Sequence, residues 1–454
     1  MLSSYKSLII TLTIIMFVFT PISGIGSTFK LKNDENINLN ILTVDITIPD
    51  DYLTIQNGID NANPGDTIFV RSGLYQENIV VETPGLSIIG ENKLNTVIDA
   101  GKNSLDGMNI SAPHITISNF TFTNAVSENL IWDLSGLRIY AANVSVNNNR
   151  FINNVLGLTV MAGCYNATIN DNEFIGDGIM LGQYQKLLSL SKQDFLHNIY
   201  DNTVNGKNLY YVKDQKDFEV PLEVGQVFVV NCSNVTVKDL YLSNTDFSVF
   251  LAYCDNCTIE NITVMDTDGE VILFNSDYNI VQNNILINNL HGACLDYHSN
   301  HNIFRNNYVS DNMFGLSAVT ACSYNLFYNN TVEDNTYIGI HIATFSDADQ
   351  HDNQILNNTI INSRTGLSLV QNSYNNTMEN NTIRNCDIAI HLKQSDNNIF
   401  QNNNLQKNII QALSLNSKNN QWYNNYWNRP RVLPKIILGF PYINIDWHPA
   451  KHPN

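Results

Sequence analysis

From Arg305 the chain reads RNNYVSDNMFGLSAV, from Tyr328 it reads YNNTVEDNTYIGIHI, and from Glu379 it reads ENNTIRNCDIAIHL. Each segment carries an Asn pair at its second and third positions, alternates apolar and polar residues for a few positions, turns, and alternates again. The turn often carries glycine, as at Gly292, Gly315, Gly339 and Gly366. After it comes a period-2 stretch such as Leu367-Ser368-Leu369, whose aliphatics face one way. A helical period does not fit these segments. Three short strands and three turns in some 22 residues describe one coil of a parallel β-helix, and parallel crossovers are overwhelmingly right-handed.

Working outward, the segments align on an Asn, once an Asp, placed just before an apolar strand residue. The anchors are Asn119, Asn149, Asn172, Asn202, Asp239, Asn261, Asn284, Asn307, Asn330, Asn358, Asn381, Asn403 and Asn425. Eight of the twelve spacings are 22 or 23 residues, and the exceptions are all longer, as loop insertions into a fixed coil would make them. Stacked in register, each amide donates to one neighbour and accepts from the other, which makes a buried polar column tolerable. The expectation is therefore an all-β chain, a single-stranded right-handed parallel β-helix of about 13 coils capped at both ends.

Composition agrees. The chain has 454 residues, 21 Tyr and 20 Phe, is crowded with Asn, and is only 15% charged. A net charge of −18, from 24 Lys and Arg against 42 Asp and Glu, repels nucleic acid and excludes it as a partner. Residues 1–27 read as an export signal, with Lys6 before the apolar run Leu8 to Phe19, Pro21 breaking it, and small residues after it. A retained anchor is the rival reading, and no second segment of membrane-spanning length follows. The expected plan is a signal peptide at 1–27, a flexible lead-in at 28–45, and an N-terminal cap with the first coils at 46–118. The repeats then occupy 119–427, with an insertion at 205–226, and a C-terminal cap occupies 428–454.

The seven cysteines, an odd number, do not form a disulfide framework. Cys254 and Cys257 make a lone CxxC, so core packing is the expected role for most of the seven.

The opening Pro49-Asp50-Asp51-Tyr52-Leu53-Thr54-Ile55-Gln56, followed by PGDTIFVRSGLYQENIVV from Pro64, resembles the entry to NosD-like β-helix proteins. NGKNLYYV from Asn205, leading to VPLEVGQVFVVNCSNVTVKDL, resembles a loop recurring in archaeal members. The resemblance implies a pectin-lyase-like fold and periplasmic, cell-surface or extracellular placement. It also implies an association with copper-site maturation and kinship with carbohydrate-binding and sugar-hydrolysing (CASH) proteins. It is specific for fold and does not carry activity.

Three candidate sites stand out. Asp246, Asp268 and His291 lie seven residues after three successive anchors, and equal offsets would stack them on adjacent coils. Two carboxylates and an imidazole so placed form an acid, a base and an orienting partner for glycoside hydrolysis. The set resembles part of the polygalacturonase pattern. Asn244-Thr245-Asp246 and His291-Gly292 match it, whereas Asp266-Thr267-Asp268 replaces an adjacent Asp pair, Leu290 replaces a Gly, and R-I-K is missing. As turn residues in a regular repeat, the three would also stack without any function. The second site is the insertion, where Tyr210, Tyr211 and Phe218 stand beside Lys207, Lys213 and Lys216 as platforms for sugar rings. A loop folded back on the rod fits them equally. The third is the set of ten His, which reads as solvent-facing polar residues, and no metal ligand set or cofactor is assigned.

The functional expectation is an exported, non-catalytic β-helix that presents a rigid face to a polysaccharide or another envelope component. The alternatives are a polysaccharide-active glycoside hydrolase and a NosD-like copper accessory protein.

Overall fold

A computed structural model describes residues 45–127, 133–183, 190–267, 269, 271–344 and 348–454. The export signal at 1–27 and the lead-in up to residue 44 lie outside the described residues. Among the described residues no helix is long and apolar enough to cross a membrane.

The chain winds as a right-handed parallel β-solenoid. One coil shows the construction: strands Ile303–Arg305, Tyr308–Ser310 and Phe314–Val319 lie on three successive faces. The next coil repeats them as Leu326–Tyr328, Thr331–Glu333 and Ile338–Ala343, paired in parallel. The first two corners turn at left-handed residues such as Asn306 (φ 56°) and Asp311 (φ 58°). Asn and Asp tolerate that backbone better than other side chains, which is why they crowd the sequence. The corner after the third face is wider and runs from Val319 to Leu326.

The solenoid has about 17 turns rather than 13. The count from anchors missed coils for two reasons. The first strands, among them Ile46–Ile48, Thr67–Val70 and Ser87–Gly90, stack without any Asn column. The segment read as an insertion is itself part of the solenoid: Lys207–Lys213 pairs in parallel with Val224–Val230, and Lys216–Glu219 with Ser233–Lys238.

Asparagine ladders at three corners replace the single one expected, and at the first corner Asn149, Asn172 and Asn202 form a separate short column. At the first corner, Asn284, Asn307, Asn330, Asn358, Asn381, Asn403 and Asn425 are linked at 2.9–3.1 Å, each amide N–H and side-chain amide donating to the next Oδ1. The column ends on the Asp446 carboxylate, which accepts from Asn425 and from the Trp427 indole at 2.9 Å. A second ladder, Asn279, Asn302, Asn325, Asn353, Asn376, Asn398 and Asn420, lines the wide corner. A third, Asn289, Asn312 and Asn335, lines the corner between the second and third faces. At three anchors the residue named is one too early. Asn119, Asp239 and Asn261 are left-handed turn residues, and buried Phe120, Leu240 and Ile262 follow at the rung.

Inside the coils, aliphatic and aromatic columns fill the core, including Phe122, Phe151 and Phe174 stacked at 5.2 and 4.8 Å. All seven cysteines are buried thiols. At the N-terminal end, helix Ile55–Asp60 covers the first coil, with Ile55 and Ile59 buried. Glu77 accepts the amides of Ile55 and Gln56 at 3.0 Å, setting a carboxylate where the helix N-terminus is positive. Gly58 lies so close to Ile48 that a Cβ would sit 2.7 Å from its Cδ1.

Candidate functional site

The register decides the fate of the hydrolytic set. Val249 pairs with Val271, and Val271 with Ala293. Counting back three residues aligns Asp246 with Leu290, whereas His291 aligns with Phe247. The equal offsets were produced by the anchor slip, since Asp239 precedes its rung and Asn284 is one. A one-residue slip sends a strand side chain to the opposite face. Asp246 is fully buried, and its Oδ2 accepts the Gly157 amide at 2.8 Å. Asp268 lies outside the described residues. His291 opens strand His291–Asp296 with its ring 4.8 Å from Phe314, and burial pushes its pKa down to about 4. Asp246 and His291 thus do not stand together in an open groove.

The aromatic residues of the former insertion are built into the rod. The Tyr211 hydroxyl donates to Phe195 O at 2.7 Å and accepts the His197 amide at 2.9 Å, and burial raises its pKa well above the phenol range. Tyr210 and Phe218 are half-buried against the core. They pack rather than present open faces because the segment pairs in parallel with the next coil and lies against the core.

The open aromatic surface lies instead at the wide corner. There Tyr278 stacks on His301 at 4.8 Å with an interplanar angle of 2°, and His301 stacks on Tyr324 at 4.9 Å and 7°. Tyr324 meets His351 edge-on at 5.2 Å, and His351 stacks on Tyr374 at 5.1 Å. Five rings therefore make one continuous strip, about 20 Å long at a strand spacing of ~4.8 Å. Tyr278 and Tyr324 are 56% and 49% exposed, so ring surface remains available to a ligand.

Each ring is held by the coil beneath it. Tyr278, His301 and Tyr324 directly precede the ladder residues Asn279, Asn302 and Asn325. They occupy left-handed positions (φ 59°, 57° and 61°) that other coils fill with Asn234, Asn256, Asp352 and Asn375. They flank a cavity of about 380 Å³ whose walls also include Asp277, His298, Asn300, Ser323 and Asp349. Burial, and then the nearby Asp255, raise the Asp277 pKa. His351 is paired with Asp352 at 2.8 Å. Polar groups at the edge of an aromatic floor, in a shallow depression, form an arrangement suited to a hydroxylated ligand.

The same corner offers no copper cage. His301 is held between two tyrosine rings, and His341 and His391 are separated by Ser368 on the third face. Burial pushes the His341 pKa down to about 4. The soft thiol donors are all in the core. Among the described residues no three His, Cys, Asp or Glu side chains come together to hold a metal ion. The described donor set therefore does not fit copper.

The sequence carried a sign of this site that the anchor alignment passed over. Tyr278-Asn279-Ile280, His301-Asn302-Ile303 and Tyr324-Asn325-Leu326 recur at intervals of 23 residues with a ring where other coils have Asn.

Comparison with known proteins follows the fold. The family model described as "Periplasmic copper-binding protein (NosD)" matches residues 210–349 and 343–444. No curated protein matches by sequence. Among solved structures, the mannuronan C-5 epimerase AlgE4 A-module of Azotobacter vinelandii is 13% identical, over 88% of this chain and 94% of that one, with a TM-score of 0.34. A hyperthermoactive exopolygalacturonase from Thermotoga maritima is 11% identical, over 74% and 86%, with a TM-score of 0.38. PfbA, a surface adhesin of Streptococcus pneumoniae, is 11% identical, over 88% and 95%, with a TM-score of 0.37.

Proposed function

This chain belongs to the NosD family, and from that premise we propose that it is an exported, non-catalytic β-helix that binds carbohydrate along the ring strip of its wide corner. The observation that carries the proposal is the run of Tyr278, His301, Tyr324, His351 and Tyr374 in ring contact along successive coils beside an open cavity. The exposed ring edges give apolar contact to sugar C–H groups, and the adjoining Asp277, Asn300, Ser323 and Asp349 supply hydrogen bonds to hydroxyls. A rigid coil holds the rings in place before the ligand arrives, so little ordering cost falls on binding.

Charge narrows the ligand. The net charge is −18, and Asp277, Asp349 and Asp352 border the rings. A polyuronate would meet repulsion on approach, so the ligand class is a neutral or amino-bearing glycan. The buried Asp246 weighs against the hydrolase alternative, which relied on it as a solvent-facing carboxylate.

The test is a glycan array read with the wild-type chain and with Tyr324→Ala, alongside reducing-end release on the glycans bound. Binding that weakens in the variant, without release, is the expected outcome. Release of reducing ends would overturn the non-catalytic reading, and array binding unchanged by Tyr324→Ala would overturn the site.

A further inference from the structure

The last coil differs from the rest of the molecule in both charge and polarity. Residues 428–454 hold four of the chain's 24 Lys and Arg but one of its 42 Asp and Glu. That one, Asp446, is buried at the foot of the asparagine ladder. Arg429, Arg431, Lys435 and Lys451 form no ion pair with a carboxylate among the described residues. Burial, and then the charges of Arg431 and Arg429, lower the Lys435 pKa, so three cations crowd one another there. Arg431 Nε is enclosed without a hydrogen-bond partner. An excess of unneutralised positive charge at one end of so acidic a chain calls for an anionic counterpart.

The same end is strongly apolar. In strand Lys435–Phe440, Ile437 points into the core, so alternation sends Ile436, Leu438 and Phe440 outward. They are 63%, 59% and 76% exposed, and Trp447 is 63% exposed. Val432, Leu433 and Ile443 on the flanking connections are exposed as well. Leu413 and Leu415, which pair with Leu438 and Phe440, carry the apolar surface back one coil. An apolar patch of this extent on a soluble end marks an interaction site.

We propose that this C-terminal end docks on an anionic lipid bilayer, with Phe440, Trp447 and their aliphatic neighbours entering the headgroup boundary and Arg429, Arg431, Lys435 and Lys451 meeting lipid phosphates. Aliphatic and aromatic side chains ringed by cations are what interfacial membrane binding requires. A glycan partner would leave Val432, Leu433 and Ile436 facing hydroxyls. A second copy meeting this patch symmetrically would set the four cations against four more. The acidic remainder of the chain is repelled by the same surface, which orients this end toward it.

The full chain should be sedimented with vesicles of equal parts phosphatidylglycerol and phosphatidylcholine, and with phosphatidylcholine alone. Two variants accompany it, F440S/W447S and R429Q/R431Q/K435Q, each checked for the native circular dichroism spectrum. The expected result is binding to the anionic vesicles, weaker by at least about tenfold on the neutral ones and in each variant. Binding that persists in both variants is carried by another segment and overturns the proposal, as does absence of binding to anionic vesicles. Dimerisation in analytical ultracentrifugation that F440S/W447S abolishes would assign the patch to a second copy and overturn it equally. Y324A should bind vesicles like the wild type, which separates this proposal from the glycan site.

Discussion

Replacing Asn330 by Ala tests the first-corner ladder where its bonding is complete. The Asn330 side chain is 1% exposed and sits mid-column. Its Oδ1 accepts from the Asn307 backbone amide and side-chain amide, both at 3.0 Å. Its Nδ2 donates to Phe304 O and to Asn358 Oδ1, both at 2.9 Å. After truncation the Asn307 side chain still has Val281 O at 2.9 Å, and Asn358 Oδ1 still has the Asn330 amide at 2.9 Å. One buried backbone group, the Asn307 N–H, is left without a partner, whereas the Phe304 carbonyl stays within the parallel pairing of Ile303–Arg305 with Leu326–Tyr328. The lost partner costs about 1–3 kcal/mol, so Asn330→Ala should destabilise by about that much. The control is its exposed neighbour, Asn329→Gly. Its φ of 53° suits glycine, and it loses one exposed bond to Asn306, so the shift should stay within about 1 kcal/mol. Guanidinium unfolding followed by circular dichroism gives the global shift. Hydrogen exchange at the Asn307 amide gives the local one, which matters because repeat arrays need not unfold in a single step. Equal midpoints for the two variants, or undiminished protection at Asn307, would refute the claim that the ladder bears load.

His197 is 1% exposed, and burial holds its pKa at about 4 against 6.5 in the open chain. The fold keeps it neutral while the unfolded chain takes up a proton, so its stabilising contribution is complete above pH 6.5 and is lost as pH falls toward 4. The loss is up to about 3 kcal/mol, and His197→Gln should flatten the fall in denaturation midpoint over that range. Ellman's reagent should leave the native protein essentially unreacted and titrate all seven buried thiols once guanidinium is added. Asp246→Ala should cost about 1–3 kcal/mol, because the Gly157 amide loses its acceptor, while leaving glycan binding unchanged on the array. Tyr324→Ala should weaken glycan binding about three- to tenfold in titration calorimetry, with the denaturation midpoint nearly unmoved.

The coil was legible because its period is written in residues that only a turn or a ladder wants. Where two Asn adjoin, as at Asn306-Asn307 or Asn329-Asn330, the first takes the left-handed turn and the second forms the rung, and either one marks the coil. Where the pair is broken, as at Asp239-Leu240 and Asn261-Ile262, the visible residue is the turn and the rung is apolar. The alignment then slips by one, which is enough to align Asp246 spuriously with His291. The first coils, expected within 46–118, could not be counted from anchors for the related reason that aliphatics stack as well as amides when no polar group needs a partner. Lys207 to Glu223 read as a loop because it interrupts the 22–23-residue period and carries charge. Its parallel pairing with Val224–Val230 and Ser233–Lys238 is not encoded in the local pattern.

The ring strip does not show in the anchor alignment because Asn is the commoner residue at these left-handed turns, and its replacement by rings on three successive coils is the argument for the strip's purpose. The fold supplies Asn at most such positions at small conformational cost. A tyrosine or histidine there costs about 1 kcal/mol more, and three successive coils accept that cost. Stacking returns about 0.5–1.5 kcal/mol per pair when buried, and less when rings are half-exposed as Tyr278 and Tyr324 are. The two sums nearly cancel, so the ladder gains the protein little stability over the asparagines it displaces. What it changes is the surface, turning a polar corner into a row of apolar ring edges beside Asp277 and Asp349. Stability alone does not account for the exchange, whereas the ligand proposed for that row does.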